Sequence, residues 1–233
     1  MLYAIADIHG RFDLLSALYT TILEDIKDVD DPSGAQIIFL GDYVDRGPQS
    51  KEVLDFLMGL KDDDHTKHVF LFGNHEDLMC LSYHGDKSAF RCWSTNGGEQ
   101  TLASFGITVP YYTSAMDRAL KPYVEWMESL SFYYTVHDYV FCHSGSLRFD
   151  FDIPLEAQKN TLTWGRVEPG AYKNYSKWVI HGHTPTWDVP EIEFHRVNMD
   201  TGGWYHAVSH LWAGVLPHGP CQESDIRLIE VQL

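Results

Sequence analysis

The chain has 233 residues, 44% of them hydrophobic and 21% charged, with 7 Trp, 13 Tyr and 12 Phe, a composition that supports a packed core and excludes a disordered segment. Its 17 Lys and Arg face 33 Asp and Glu, a formal charge of −16, which argues against nucleic acid or an anionic membrane as its partner. Cys80, Cys92, Cys142 and Cys221 are widely spaced without a C-x-x-C pair, which speaks against both a disulfide framework and a cysteine zinc site. With no apolar run of about 18 residues and no basic leader, the expectation is a cytoplasmic protein. The absence of a Pro/Gly/Ser linker gives one domain over residues 1–233, and nothing in the sequence speaks to oligomeric state.

The first apolar run, Leu2 to Ala6, reads as a buried strand and ends in Asp7-Ile8-His9-Gly10. Leu14, Leu15, Leu18, Ile22 and Ile26 then recur at helical spacing, and Asp30-Asp31-Pro32-Ser33-Gly34 supplies the stop. Gln36 to Leu40 is a second strand, ending in Gly41-Asp42-Tyr43-Val44-Asp45-Arg46-Gly47. A helix with Val53, Leu54, Leu57 and Leu60 on its apolar face follows, and Lys61-Asp62-Asp63-Asp64 leads out of it. The third strand, His68 to Phe72, ends in Gly73-Asn74-His75-Glu76. Next comes a helix with Leu78, Met79 and Leu81 expected buried and Glu76 and Asp77 placed favourably in its first turn. The acidic loops, including Asp28, Asp30, Asp31 and Asp62 to Asp64, read as solvated surface. From about residue 80 to 130 the chain reads as a mainly helical cover.

In the second half Phe132 to Val136, Tyr139 to Cys142, Trp178 to Ile180, Phe194 to Asn198 and Ala207 to Trp212 have the β-branched and aromatic texture of strands, and Arg227 to Val231 is expected to close this second sheet. Two of these runs again end in histidine, at His143-Ser144-Gly145 and His181-Gly182-His183-Thr184. In a β-α-β-α-β alternation the strands run parallel and their carboxyl ends share one edge, where ligands of such sheets bind. Asp7, His9, Asp42, Asn74 and His75 therefore converge, and a crevice of oxygen and imidazole groups is a metal site rather than a structural zinc knot.

The order D-x-H, G-D-x-x-D-R-G, G-N-H-E, H-S-G and H-G-H-T resembles the calcineurin-like metallophosphoesterases, in their phosphoprotein phosphatase branch, over most of the chain. The resemblance implies an α/β architecture of two mixed β-sheets packed as a sandwich and flanked by helices, in agreement with the two textures. It implies two divalent metal ions, Mn2+ first, with Fe, Zn, Mg, Ni or Co as alternatives. Asp7 and His9 would bind one, Asp42 would bridge both, and Asn74, His143 and His183 would complete the second. A bridging water would be the nucleophile for in-line attack, with the cations about 3.5–4 Å apart. His75 would be the general acid, oriented by Asp45, while Arg46, Arg166 in Trp164-Gly165-Arg166 and Asn74 would bind the substrate phosphate.

His181, two residues before His183, would share its strand face and either bind or support a ligand. Pro185 stands where the related phosphodiesterases carry a second His, which favours the phosphatase branch. Trp93, Asn96-Gly97-Gly98, Thr101-Leu102 and Phe105-Gly106 resemble a segment of the bacterial members and read as packing and turn geometry. Asp200-Thr201-Gly202-Gly203 reads equally as a site turn or a structural one. His195, His206 and His210 read as satisfied or surface residues, and His65, His68, His84, His137 and His218 receive no role. The expected partner is a phosphorylated protein, as for Ser/Thr phosphatases. The alternatives are a small phosphoester or a nucleotide, as for the symmetrical diadenosine tetraphosphatases, and less so a non-catalytic phospho-binding protein. Polyphosphate binding would want more cations than Arg11, Arg46, Arg91, Arg148 and Arg166 provide.

Overall fold

A computed structural model describes residues 1–29, 34–62, 66–108, 114–146, 155–167, 170, 172–173, 175–205 and 209–233. Asp30 to Ser33, Asp63 to His65, Arg148, His206 and Ala207, all of which entered the sequence reading, lie outside the described residues.

β1 (Leu2–Ile5), β2 (Ala35–Phe39) and β3 (Thr66–Phe70) are parallel neighbours, with α1 (Phe12–Asp28) and α2 (Ser50–Gly59) between them. Successive side chains of a strand point to opposite faces. Tyr3 and Ile5 accordingly join α1 and α2 in one core, while Leu2 and Ala4 join Ile38, Tyr139, Phe141, Ile180 and Val197 in another. That second core lies between two sheets. One has the order β10-β9-β1-β2-β3 and the other β4-β5-β6-β8-β7, with β4 (Tyr133–Val136), β5 (Tyr139–Cys142), β6 (Trp178–His181), β7 (Glu191–Glu193), β8 (Arg196–Asn198), β9 (His210–Leu216) and β10 (Arg227–Gln232).

Helices α3 (Asn74–Tyr83), α4 (Lys87–Trp93), α5 (Glu99–Ser104) and α6 (Ser114–Glu128) fill most of the stretch before β4, and α7 (Leu155–Trp164) precedes β6. A wide turn at Ser94–Gly98 links α4 to α5, with Gly97 at φ 109°. Among the described residues no helix is long and apolar enough to cross a membrane.

Four local expectations are corrected. β9 and β10 belong to the first sheet, because β9 pairs antiparallel with the open side of β1 and lets Ala213 and Val215 extend the helix-side core. Phe194 to Asn198 is not one strand: Phe194 takes φ 54° and turns β7 into β8 as a hairpin. β3 lies at a sheet edge and is only half-buried, unlike β1 and β2. Leu81 is 40% exposed on α3, whereas Leu78, Met79 and Ser82 face inward.

Candidate metal centre

The strand ends turn abruptly. Asp7, His9, Asp42, Asp45, Arg46 and His183 all take φ between 45° and 74°, a region that costs non-glycine residues energy and is kept where surrounding contacts over-determine it. Those contacts are visible at Asp42. The buried Glu76 carboxylate accepts N–H bonds from Asp42 at 2.8 Å, Tyr43 at 2.9 Å and Gly73 at 2.9 Å. A side chain at Gly73 would collide with the Asp42 carboxylate, so only glycine fits there. Burial and then the charge of Asp42 push the Glu76 carboxyl up to about 7, against the pull of these N–H donors.

Among the described residues, two groups of side chains bring atoms able to bind a metal within 4.8 Å of one another: His9, Asp42 and His75, and Asp42, His143 and His183. Asp42 is common to both, as a bridging residue must be. His9 Nδ1 donates to the Val44 carbonyl at 2.9 Å and His143 Nδ1 to the Leu40 carbonyl at 2.9 Å. The Nε2 of His143 therefore faces the centre, and that of His9 lies between Arg46 Nη1 and Asp42 Oδ2, the latter at 3.6 Å. Nε2 of His143 lies 2.9 Å from Asn74 Oδ1 and 3.3 Å from Asp42 Oδ1, and His183 Nδ1 lies 2.8 Å from the same Asn74 oxygen. These oxygens only accept, so the imidazole nitrogens meet them across either a proton or a cation. Such a donor set, oxygen and imidazole with backbone-anchored tautomers, suits a divalent cation.

Charge points the same way. Burial, then Asp200 and Asp42, raise the Asp7 carboxyl well above its ordinary range, a cost that a cation would remove. Burial alone would raise Asp42 too, but the charges of His143 and His75 and a hydrogen bond from His143 hold it well below. Burial pulls His9 far below its usual value and lowers His183 to about 3, so both are neutral, as ligands require.

Asp7 stands beside this cluster. Its oxygens accept the His183 N–H at 3.1 and 3.2 Å, and its carboxyl interacts with that of Asp200. Asp200 is buried, with Oδ1 on the Gly202 N–H at 2.8 Å and Oδ2 without a donor among the described residues. The Asp-Thr-Gly turn thus brings a further acid to the centre.

His75 is placed differently from the other histidines. Its Nδ1 donates to Asp45 Oδ2 at 2.6 Å, and its Nε2 lies 3.9 Å from Asp42 Oδ2. Burial would lower it, yet the charges of Asp42 and Asp45 prevail and hold it above the ordinary histidine value. Arg46 donates through Nη1 to His9 Nε2 at 2.5 Å. Arg166 is exposed beyond α7, close enough for its charge to act on His183. Its approach is fixed by Trp164, whose indole N–H donates to Asp77 of α3 at 3.1 Å.

His181 does not share a face with His183. β6 ends at His181, and the positive φ of His183 swings that ring to Asn74. The His181 ring is buried against Gly145, with Nδ1 on the Gly182 carbonyl at 2.9 Å, and burial lowers it to about 3. Of the histidines given no role, His68 meets Tyr19, His84 meets Glu128, and His137 packs on His218. His195 packs on Trp178, and His210 meets Trp212 and lies against Gly203.

Residues 2–220 match the calcineurin-like phosphoesterase family. The chain belongs to that family. It is accordingly a metallophosphoesterase, a hydrolase of phosphate esters, with the two mixed sheets and flanking helices of that fold. Among curated relatives it is 26% identical over 216 residues to the asymmetrical bis(5'-nucleosyl)-tetraphosphatase PrpE of Bacillus subtilis, covering 85% of this chain and 84% of that one. The PrpE of Anoxybacillus flavithermus is 27% identical over 217 residues, with 85% and 84% covered. Among solved structures, a putative diadenosine tetraphosphatase aligns with TM-score 0.62 at 17% identity, over 99% of this chain and 92% of that one. A protein serine/threonine phosphatase of Saccharomyces cerevisiae aligns with TM-score 0.60 at 16% identity, over 98% and 78%.

The sequence reading of this phosphoesterase missed the residues around Asp45. Trp93, assigned there to packing, donates its indole N–H to Asp45 at 2.9 and 3.0 Å, and Thr101 donates its hydroxyl at 2.6 Å. All three are fully buried. The W-x-x-N-G-G-x-x-T spacing was the available signal, since two donor-bearing side chains flank a glycine turn. A hydrogen bond to a charged group is worth about 1.5–3 kcal/mol, and about 1.4 kcal/mol is tenfold in rate. Trp93→Phe is expected to lower kcat by about tenfold with KM little changed and the thermal midpoint a few degrees lower, and unchanged kcat in steady-state assays would reduce Trp93 to packing.

Proposed function

We propose that Asp7, His9, Asp42, Asn74, His143 and His183 hold two divalent cations, Mn2+ first, and that Arg46 and Arg166 grip a phosphate ester beside them. The observation carrying this reading is the meeting of His143 Nε2 with Asn74 Oδ1 at 2.9 Å and Asp42 Oδ1 at 3.3 Å, where strand ends of the two sheets come together. When bound, the cations supply Lewis acidity and an acidified water for in-line displacement. The residues do the rest. Arg46 and Arg166 fix the phosphate oxygens. His75, with Nδ1–H committed to Asp45, turns Nε2 to the leaving oxygen and gives it a proton. His181 shores up the His143 loop through Gly145.

Two substrate readings have support. A phosphoserine or phosphothreonine protein needs a grip on one phosphate, which two arginines provide. A nucleoside polyphosphate is favoured by the names of the relatives and by aromatic rings beyond Arg46.

Phosphate release from a phosphoserine peptide and p-nitrophenyl phosphate, and nucleotide release from diadenosine tetraphosphate, by Mn2+-loaded protein, with metal content by elemental analysis, test the reading. Turnover with two metal ions per chain is expected. Binding of these compounds without hydrolysis of any would instead describe a phospho-binding protein, and one metal ion per chain in fully active protein would break the paired assignment.

A further inference from the structure

The guanidinium of Arg46 lies 4.2 Å from the centroid of the Trp204 ring, and the His9 imidazole meets that ring edge-on at 5.6 Å. The indole N–H of Trp204 is buried without an acceptor among the described residues. Farther out, Tyr205 meets Trp204 at 5.3 Å and Trp187 meets Tyr205 at 5.8 Å, with interplanar angles of 78° and 70°. The outer two rings are open to solvent, Tyr205 by 68% and Trp187 by 53%. They are nonetheless held. Trp187 takes φ 73° and its six-membered ring lies over Gly202, where a Cβ would come within 3.2 Å.

We propose that Trp187 and Tyr205 form a stacking corner for the base of a nucleotide whose phosphate is gripped at Arg46, an inference that rests on the phosphoesterase reading above. Two rings set steeply to each other let a flat heterocycle stack on one face while its edge meets the other ring, both favourable arrangements for aromatic systems. Reach selects the occupant. Trp204 already touches the guanidinium, and Tyr205 and Trp187 stand one and two rings beyond it. The ring of an aryl phosphate is joined directly to the ester oxygen and ends near Trp204, whereas the ribose of a nucleotide carries the base outward. The unsatisfied Trp204 N–H offers a donor to a phosphate or ribose oxygen on the way. A phosphoserine peptide has no flat group to place there.

Two measurements on the full chain decide the matter. Adenosine, which carries no phosphate, is titrated against intrinsic tryptophan fluorescence in the wild type, Trp187→Leu and Tyr205→Leu. Saturable quenching is expected in the wild type and not in Trp187→Leu, and its absence in the wild type overturns the proposal. With Mn2+ present, KM for diadenosine tetraphosphate is expected to rise about tenfold in each leucine variant, as for loss of one base–aromatic stack. The kinetics of glycerol phosphate are expected to stay unchanged, and Trp187→Phe and Tyr205→Phe to retain most of the wild-type KM. Equal losses on both substrates, or a loss confined to a phosphotyrosine peptide, overturn the corner. No turnover of any ester by the wild type would instead defeat the phosphoesterase reading, and the adenosine titration would still decide the corner.

Discussion

His75→Asn is expected to lower kcat on an alkyl phosphate such as glycerol phosphate by about 1,000-fold, within the range of general acid catalysis, and on p-nitrophenyl phosphate far less. The asymmetry follows from the leaving group. An alkoxide departs only if protonated, whereas p-nitrophenolate spreads its charge over the ring and leaves unaided. His75 is positioned for this by the 2.6 Å bond to Asp45, and Asp45 in turn is held by Trp93 and Thr101. Asparagine keeps a polar side chain of similar reach but has no titratable proton. Steady-state kinetics on the two esters check this. Equal losses on both would give His75 a binding role, and in that case its place within 4.8 Å of His9 and Asp42 would mark it as a metal ligand.

Glu76→Ala is expected to damage both fold and centre. Its carboxylate is the acceptor for three buried backbone N–H groups, those of Asp42, Tyr43 and Gly73. An orphaned buried donor costs about 1–3 kcal/mol, so the loss is at least about 3 kcal/mol. For a chain of this size that lowers the thermal midpoint by roughly 6–12 °C. The loop carrying Asp42 at φ 55° would relax from its strained turn, so metal content should fall with stability. Calorimetry and elemental analysis together test it. An unchanged midpoint would mean that other contacts fix the loop, and a lower midpoint with full metal content would separate loop stability from the centre.

The parts legible in the sequence were those written in adjacent residues. Each short motif begins where an apolar run ends, and strand-end geometry then gathers Asp7, His9, Asp42, Asn74 and His75 at one edge without reference to distant contacts. The α1 face was equally readable, since Leu14, Leu15, Leu18, Ile22 and Ile26 are all buried. What escaped was decided by partners far along the chain. Trp93 and Thr101 reach Asp45 from 48 and 56 residues away, and the W-x-x-N-G-G-x-x-T spacing that carries them does not say which acid they meet. Glu76 looked like an ordinary acid in the first turn of a helix because two of its three N–H partners, Asp42 and Tyr43, come from a distant loop. β9 and β10 carry a strand pattern that does not say which sheet they join. That choice was made by the unpaired side of β1. Likewise the two-residue spacing of His181 and His183 implied a shared face, but the strand stops between them.

The centre draws its residues from two separate sheets. Asp7, His9, Asp42 and Asn74 follow strands of the first, while His143 and His183 follow strands of the second. The apolar layer of Leu2, Ala4, Ile38, Tyr139, Phe141 and Ile180 sets how closely the two halves approach. Interiors packed to crystal density transmit even a methylene's change in volume. The spacing of these side chains is therefore a property of the greasy interior, and a conservative swap far from any histidine is expected to shift it while the chain remains folded.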